Sequence, residues 1–348
     1  MLTEEIKRIA KNLSKVKLMH VCGTHEQEIT RHGLRHLLPK NVEVVAGPGC
    51  PVCVTPKIDI DKIIYLALNG VTVTTYGDMF NVPSNKSSLR DAKSLGADVR
   101  IVYSINNAID IALRERKKKI VHFGIGFETT APTTSVSLMN APENFFIYSS
   151  HRLIPPALLF LLKQGTEISG LIEPGHVSVI IGAKAYESIS EKFGVPQVVT
   201  GFGAMDILEG ILMLLKQISE GRGEVENQYR RAVRWDGNKI AQNMMKKTFE
   251  VTDAEWRGLG VIPESGLEIK DEFSNHDAKK NFDFSGFEYI DTRDKGCRCG
   301  EVLRGLIKAW DCPLFAKVCT PENPVGPCMI SREGSCNIRY KYGENWEK

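Results

Sequence analysis

Six of the nine cysteines in this 348-residue chain crowd between Cys297 and Cys336, spaced Cys297-x-Cys299-x12-Cys312-x6-Cys319-x8-Cys328-x7-Cys336. Thiols at this density point to metal binding or disulfide cycling. Six exceed one tetrahedral site by two, and the array lacks the paired CxxC knuckles usual for zinc. Four thiolates on a [4Fe–4S] cluster with an adjacent dithiol fit the number. A zinc-held or simply reduced cysteine-rich tail is the alternative. Spacing alone does not say which four would be ligands. Cys312-Pro313 and Pro327-Cys328 suit a cluster loop, since proline stiffens the chain and removes a backbone donor.

The remaining thiols are Cys22, Cys50 and Cys53. Cys22 opens CGTHE at the end of a predicted strand, where Gly23 permits a tight turn. Cys50-Pro-Val-Cys53 is a CxxC preceded by Gly47-Pro48-Gly49 and followed by a helix from about Pro56. A thiolate is favoured at a helix N-terminus, so a redox role is reasonable, with half of a zinc site as the alternative. The Gly/Pro context predicts an exposed loop. His25, three residues after Cys22, offers an imidazole beside a thiolate, a pairing that suits Fe(II); a hydrogen-bonded surface histidine is the plainer reading. Glu26 and Glu128 are candidate general bases, supports for a metal ligand, or carboxylates at helix N-termini. Tyr76-Gly77-Asp78-Met79 follows a strand and could line the same cleft, and His176 could point inwards. Gly124-Ile-Gly126 lacks the third glycine of a dinucleotide loop, which leaves nucleotide binding unsupported.

These groups need elements to position them. Short apolar runs predict strands over Lys17–Val21, Glu43–Ala46, Val71–Tyr76, Val99–Tyr103, Ile120–Gly124, Phe145–Tyr148, Ser178–Ile181 and Gln197–Thr200. Helical patterns alternate with them over Ile58–Leu68, Ser87–Leu95, Ile105–Glu115, Ala183–Lys192 and Met205–Gln217. Alternation of this kind predicts an α/β protein with parallel sheets, and element lengths favour two small sheets over one. A faint echo, His20-Val-Cys-Gly-Thr-His-Glu26 against His122-Phe-Gly-Ile-Gly-Phe-Glu128, suggests related halves presenting groups at strand C-terminal ends. Helices are expected over Glu224–Val233 and Lys239–Phe249, and a turn-rich connector over Gly258–Gly266. The division is 1–117, 118–220 and a helical, cysteine-rich 221–348, whose last part has little core and would be held by its metal.

Composition excludes some classes. An apolar fraction of 42% with 25% charged residues is that of a globular protein. A net charge of +3 gives no global pull toward nucleic acid or membrane. No apolar run is long enough to span a bilayer, and the charged amphipathic start is unlike a signal peptide, so a cytoplasmic location is expected. An odd number of cysteines there argues for metal or redox chemistry rather than a disulfide framework.

Seven motifs, CGTHE (Cys22–Glu26), GPGCPVCVTP (Gly47–Pro56), YGDM (Tyr76–Met79), GFETTAP (Gly126–Pro132), PGHVSVIIG (Pro174–Gly182), GLGVIPESG (Gly258–Gly266) and DCPLFAKVCTPENPVGPCM (Asp311–Met329), resemble in order the HypD family of [NiFe]-hydrogenase maturation proteins. One departure is Gly201-Phe-Gly-Ala-Met-Asp206, where the family pattern is GFEPLD. The resemblance implies two Rossmann-like α/β domains facing a cleft, plus a C-terminal iron–sulfur domain similar in cluster environment to ferredoxin:thioredoxin reductase. By that likeness Cys297, Cys312, Cys319 and Cys336 would hold a [4Fe–4S] cluster, and Cys299 and Cys328 would form a redox-active pair. It further implies a scaffold for the Fe(CN)2CO group, with transient Fe(II) on Cys22 and electrons relayed through Cys50 and Cys53. A HypC-type small chaperone and a HypE-type cyanide donor would be partners, and the hydrogenase large subunit an indirect one. A cluster-dependent thiol–disulfide oxidoreductase is the rival reading.

Overall fold

The computed structural model describes residues 2–85, 87–290 and 296–343. Among them eleven strands form two sheets: β1 (Val16–His20), β2 (Val42–Ala46), β3 (Thr72–Tyr76), β4 (Val99–Val102), β5 (Ile120–Gly126), β6 (Phe145–Arg152), β7 (Gly170–Pro174), β8 (Gln197–Thr200), β9 (Val225–Asn227), β10 (Phe249–Trp256) and β11 (Gly260–Ile269). The first sheet has the order β2-β1-β7-β8-β9 and is parallel throughout. The second runs β10-β11-β6-β5-β3-β4, parallel from β6 to β4 with an antiparallel hairpin at the other end. Every residue of β5, β6, β7 and β8 is buried, as parallel strands covered on both faces by helices require.

The sheets do not follow the division at residues 117 and 220. β1 and β2 pair into the sheet of β7, β8 and β9, whereas β3 and β4 join β5 and β6. β9, β10 and β11, from the third segment, complete both sheets. The chain leaves the first sheet after β2, builds four strands of the second, and returns through the helix Ile154–Lys163 to β7. His20 and His122, the two ends of the sequence echo, accordingly sit on inner strands of different sheets, and both are buried.

Three local expectations are corrected. Ser178–Ile181 is the end of the helix Gly175–Ile181; the strand is the preceding Gly170–Pro174. A short apolar run cannot choose between the two, and here Ser178 Oγ donates to Pro174 O at 2.8 Å, the bond of one helical turn. Glu224–Val233 is not a helix, because Gln197–Val199 pairs with Val225–Asn227 and draws it into a strand. The connector Gly258–Gly266 lies mostly in β11, which turns back on β10 through Gly258 and Gly260, both at positive φ. Among the described residues no helix is long and apolar enough to cross a membrane.

Candidate functional site

A cavity of about 1030 Å³ opens where the C-terminal ends of strands from both sheets face each other. Cys22 follows β1, Tyr76 ends β3 with Asp78 just beyond it, Gly126 ends β5, and Pro174 ends β7 with His176 just beyond it. Ile330–Glu333 reach in from the C-terminal segment, where Asp78 Oδ2 accepts from Ser331 Oγ (3.1 Å) and Arg332 N (2.8 Å). His176 stands exposed at the mouth, stacked on Phe202 with ring centroids 4.0 Å apart.

Cys22 is the N-cap of the helix Gly23–Arg31, in extended backbone, and opens on this cavity. Burial of the thiol pushes its pKa up to about 11, although the His25 and Thr24 amides favour the thiolate. Without a metal it is therefore a thiol at neutral pH. Close packing needs glycine on both sides. A Cβ on Gly23 would lie 2.4 Å from Glu333 Cβ, and one on Gly49 2.3 Å from Cys22 N. Gly49 thus brings the CxxC directly against the Cys22 backbone.

Cys50 and Cys53 are disulfide-bonded, with Cα atoms 5.3 Å apart. Cys50 caps the short helix Pro51–Val54, and its Sγ accepts from Cys53 N at 3.2 Å. Both are buried, contrary to the exposed loop expected from the Gly/Pro context. Their helix packs beneath the cavity, and Pro51 and Val52 form part of its wall.

His25 and Glu26 do not serve the cavity as anticipated. The helix turns His25 away, and its Nε2 meets Gly201 O and Thr200 Oγ1, each at 3.0 Å. Burial pushes its pKa down to about 3, so the ring is neutral. Glu26 is the centre of a buried ion network. Oε2 accepts from His20 Nε2 (2.6 Å) and Arg35 Nη2 (2.6 Å), and Oε1 from Thr30 Oγ1 (3.0 Å) and Arg339 Nε (2.7 Å). Burial opposes its charge, but Arg35 and Arg339 hold the carboxyl well below the usual range. This carboxylate is a tie, not a base: it clamps the C-terminal helix Ser335–Tyr342 onto the helix of Cys22. Arg339→Ala is expected to destabilise the fold by about 3–5 kcal/mol, because Glu26 would remain buried with less compensation. The clamp is present above the unfolded carboxyl pKa and is lost as pH falls through the depressed folded one. Urea unfolding at neutral and acid pH checks this; equal loss of stability at both would contradict it.

Glu128 follows β5 and is buried. Its Oε1 accepts from Ile154 N at 3.0 Å, Oε2 has no partner, and burial pushes its pKa up to about 7. Glu173 on β7 was not anticipated: it is fully buried with neither carboxylate oxygen bonded. Its only signal was an acid inside an apolar strand, LIEP.

In the C-terminal segment all six cysteines line one small cavity with Val302, Leu314, Phe315 and Met329. Cys299 is bonded to Cys328, with Cα atoms 6.5 Å apart, while Cys297, Cys312, Cys319 and Cys336 lie outside any disulfide. Burial, and then Cys297, Cys319 and Cys312 nearby, push the Cys336 thiol well up. A Cβ on Gly326 would lie 2.5 Å from Cys297 Sγ, and Val325 N donates to Cys319 Sγ at 3.3 Å. Among the described residues no three His, Cys, Asp or Glu side chains converge as a single-ion site. Four cysteines outside any disulfide around an apolar void, with a backbone donor to one sulfur, are a donor set that fits a [4Fe–4S] cluster. The helix Pro327–Ile330, carrying Cys328, packs on Pro51–Val54, carrying Cys53.

The family model HypD, described as the hydrogenase formation hypA family, matches residues 1–343. A Methanocaldococcus jannaschii protein named for hydrogenase expression/formation is 47% identical over 343 residues, 97% of this chain and 95% of its own. The hydrogenase maturation factor HypD of Cupriavidus necator is 45% identical, covering 94% of this chain and 90% of that protein. That of Escherichia coli is 42% identical, over 98% and 94%.

Proposed function

The chain belongs to the HypD family of hydrogenase maturation factors, and from that premise we propose that it is the scaffold on which the Fe(CN)2CO group is assembled. One observation carries the reading. The thiol centres are contiguous: the four-thiol cage, the Cys299–Cys328 pair, the Cys50–Cys53 pair and Cys22 follow one another through packed segments.

Cys22 would bind Fe(II) as the thiolate, losing its proton to the metal's charge. A soft thiolate suits the electron-rich low-spin iron that cyanide and CO require. Cys297, Cys312, Cys319 and Cys336 would hold a [4Fe–4S] cluster, which when bound supplies electrons to the neighbouring disulfide. Cys299 and Cys328, once reduced, would exchange with Cys50–Cys53 through a mixed disulfide. The Cys50/Cys53 dithiol then cleaves a carrier thiocyanate: R–SCN + 2 Cys–SH → R–SH + CN⁻ + H⁺ + Cys–S–S–Cys. The S–CN bond breaks, the dithiol is oxidised, and cyanide leaves as the anion that iron takes. The apposed cavity walls would exclude water from this exchange. A HypC-type chaperone sharing the iron and a HypE-type cyanide donor are the partners this chemistry needs.

The test is direct. Cys50→Ser or Cys53→Ser is expected to leave the four-thiol cage filled and the protein brown, yet to abolish hydrogenase maturation in cells. A single thiol cannot close the disulfide. Full hydrogenase activity with either variant would reduce the motif to a structural turn. The rival reading, a thiol–disulfide oxidoreductase, requires turnover by protein that carries no Fe(II) beyond the cage.

A further inference from the structure

A second cavity, of about 330 Å³, lies apart from the cleft and shares no lining residue with it. That size is at the small end of ligand pockets, which run from roughly 300 to 1,000 Å³. Pro155 and Pro156 at the head of the helix Ile154–Lys163 form one wall, and Ile181 ends the helix Gly175–Ile181 at another. Met245 on the helix Lys239–Thr248, Phe249 on β10 and Leu267 on β11 complete an apolar lining. Among the described lining residues the one acid is Glu128, and the one cation is Lys246, which is exposed. Phe127 and Thr129 line the cleft, so the turn after β5 is the partition between the two cavities.

The local sequence leaves this carboxyl short of donors. Glu128 is 2% exposed, and its Oε1 accepts from Ile154 N, the first amide of a helix. The next two positions are Pro155 and Pro156, which carry no N–H, so the opening of the helix has no further donor to give. Oε2 accordingly has no partner among the described residues, and no cation among them neutralises the group. Buried carboxyls are ordinarily paired or hydrogen-bonded, because desolvation without a partner is costly. A donor carried on an apolar stem would satisfy the carboxyl and the apolar walls together.

We propose that this pocket binds a small primary ammonium on a hydrocarbon stem, with the Glu128 carboxylate as its counter-ion. The stem covers the apolar walls, and the ammonium supplies the N–H donors that Pro155 and Pro156 cannot. A carboxylate ligand would meet a like charge in Glu128, and an alcohol would bring a single uncharged donor. The pH dependence follows from the same group. Burial pushes the Glu128 pKa up to about 7, burial likewise raises Glu173 and Tyr186, and Lys246 stands at the rim. An ammonium pairs with the ionised carboxyl, so on binding the Glu128 proton leaves to solvent. Affinity therefore climbs as pH rises toward 7 and levels off above it, the amine staying protonated throughout. None of this depends on iron at Cys22.

Calorimetric titration of the anaerobic full chain with hexylamine tests this, with hexanol and hexanoate as controls. One saturable site per chain is expected, about tenfold tighter at pH 8 than at pH 6. Glu128→Gln should weaken binding about tenfold or more at pH 8 and remove the pH dependence, since a charged hydrogen bond is lost. Val251 lines the pocket and is exposed, so Val251→Trp fills the space without touching the carboxyl and should abolish binding. Absence of saturable hexylamine binding would overturn the proposal, as would equal binding of hexanoate. Binding that survives Val251→Trp, or that is the same at pH 6 and pH 8, would overturn it even if Glu128→Gln failed to fold. Binding seen only in Lys246→Ala would show that the rim lysine itself pairs with Glu128, and would overturn it too.

Discussion

Cys319→Ala is expected to purify anaerobically as a colourless chain, its iron falling from about four atoms to none, the content of one [4Fe–4S] unit. Cys319 is one of four cysteines around the cage that lie outside any disulfide, is buried, and accepts a backbone bond from Val325 N. Three thiolates would leave one corner of the cluster to solvent in an apolar void lined by Leu314 and Phe315. Residues 296–343 consist of short helices and turns, so a cluster bound in the cage would contribute to the segment's stability. Limited proteolysis should therefore cut the variant between about residues 312 and 330, a stretch that resists cleavage in the brown protein. Cys312→Ala is expected to behave alike. Should both retain colour and iron, the ligand set is wrong. Replacement of the iron by one zinc per chain would favour a structural tail.

How much of this was legible in the sequence depended on whether a residue's task was local. The strands of Val16–His20, Val42–Ala46, Thr72–Tyr76 and Gln197–Thr200 declare themselves through short apolar or β-branched runs, and the structure has each within about two residues of its expected bounds. Pairing did not declare itself. Nothing in the run Lys17–Val21 says that it lies beside Gly170–Pro174, some 150 residues away, so domains drawn as contiguous blocks missed the interleaving of the sheets. His25 and Glu26 follow Cys22 closely enough to look like its helpers. Helical geometry sends them elsewhere, His25 to Gly201 and Glu26 to Arg339, a partner 313 residues distant. Glu173 was invisible for the converse reason: a single acid in a strand acquires meaning only from the tertiary burial that leaves both its oxygens without a partner.

The second large effect falls on Cys22. Among the cysteines outside any disulfide it alone opens on the cleft; the other four surround the C-terminal cage. Its side chain makes no capping bond, so removing the sulfur costs the helix Gly23–Arg31 little. Cys22→Ala is therefore expected to fold, to remain brown, and to exchange its CxxC disulfide normally. It would lack the single thiolate that holds Fe(II), since His25 is already committed to Gly201 and Thr200. A deprotonated cysteine is an indispensable ligand where burial otherwise keeps the thiol protonated, so loss of the cargo iron should be complete rather than partial.

The decisive measurement is the anaerobic infrared spectrum of the protein co-purified with its HypC-type partner, taken with and without Cys22→Ala. The scaffold reading predicts cyanide and CO stretching bands and about one iron beyond the cluster's four in the unaltered protein. It predicts neither in the variant, which keeps its brown colour. Bands of undiminished intensity in Cys22→Ala would place the iron elsewhere and contradict the account.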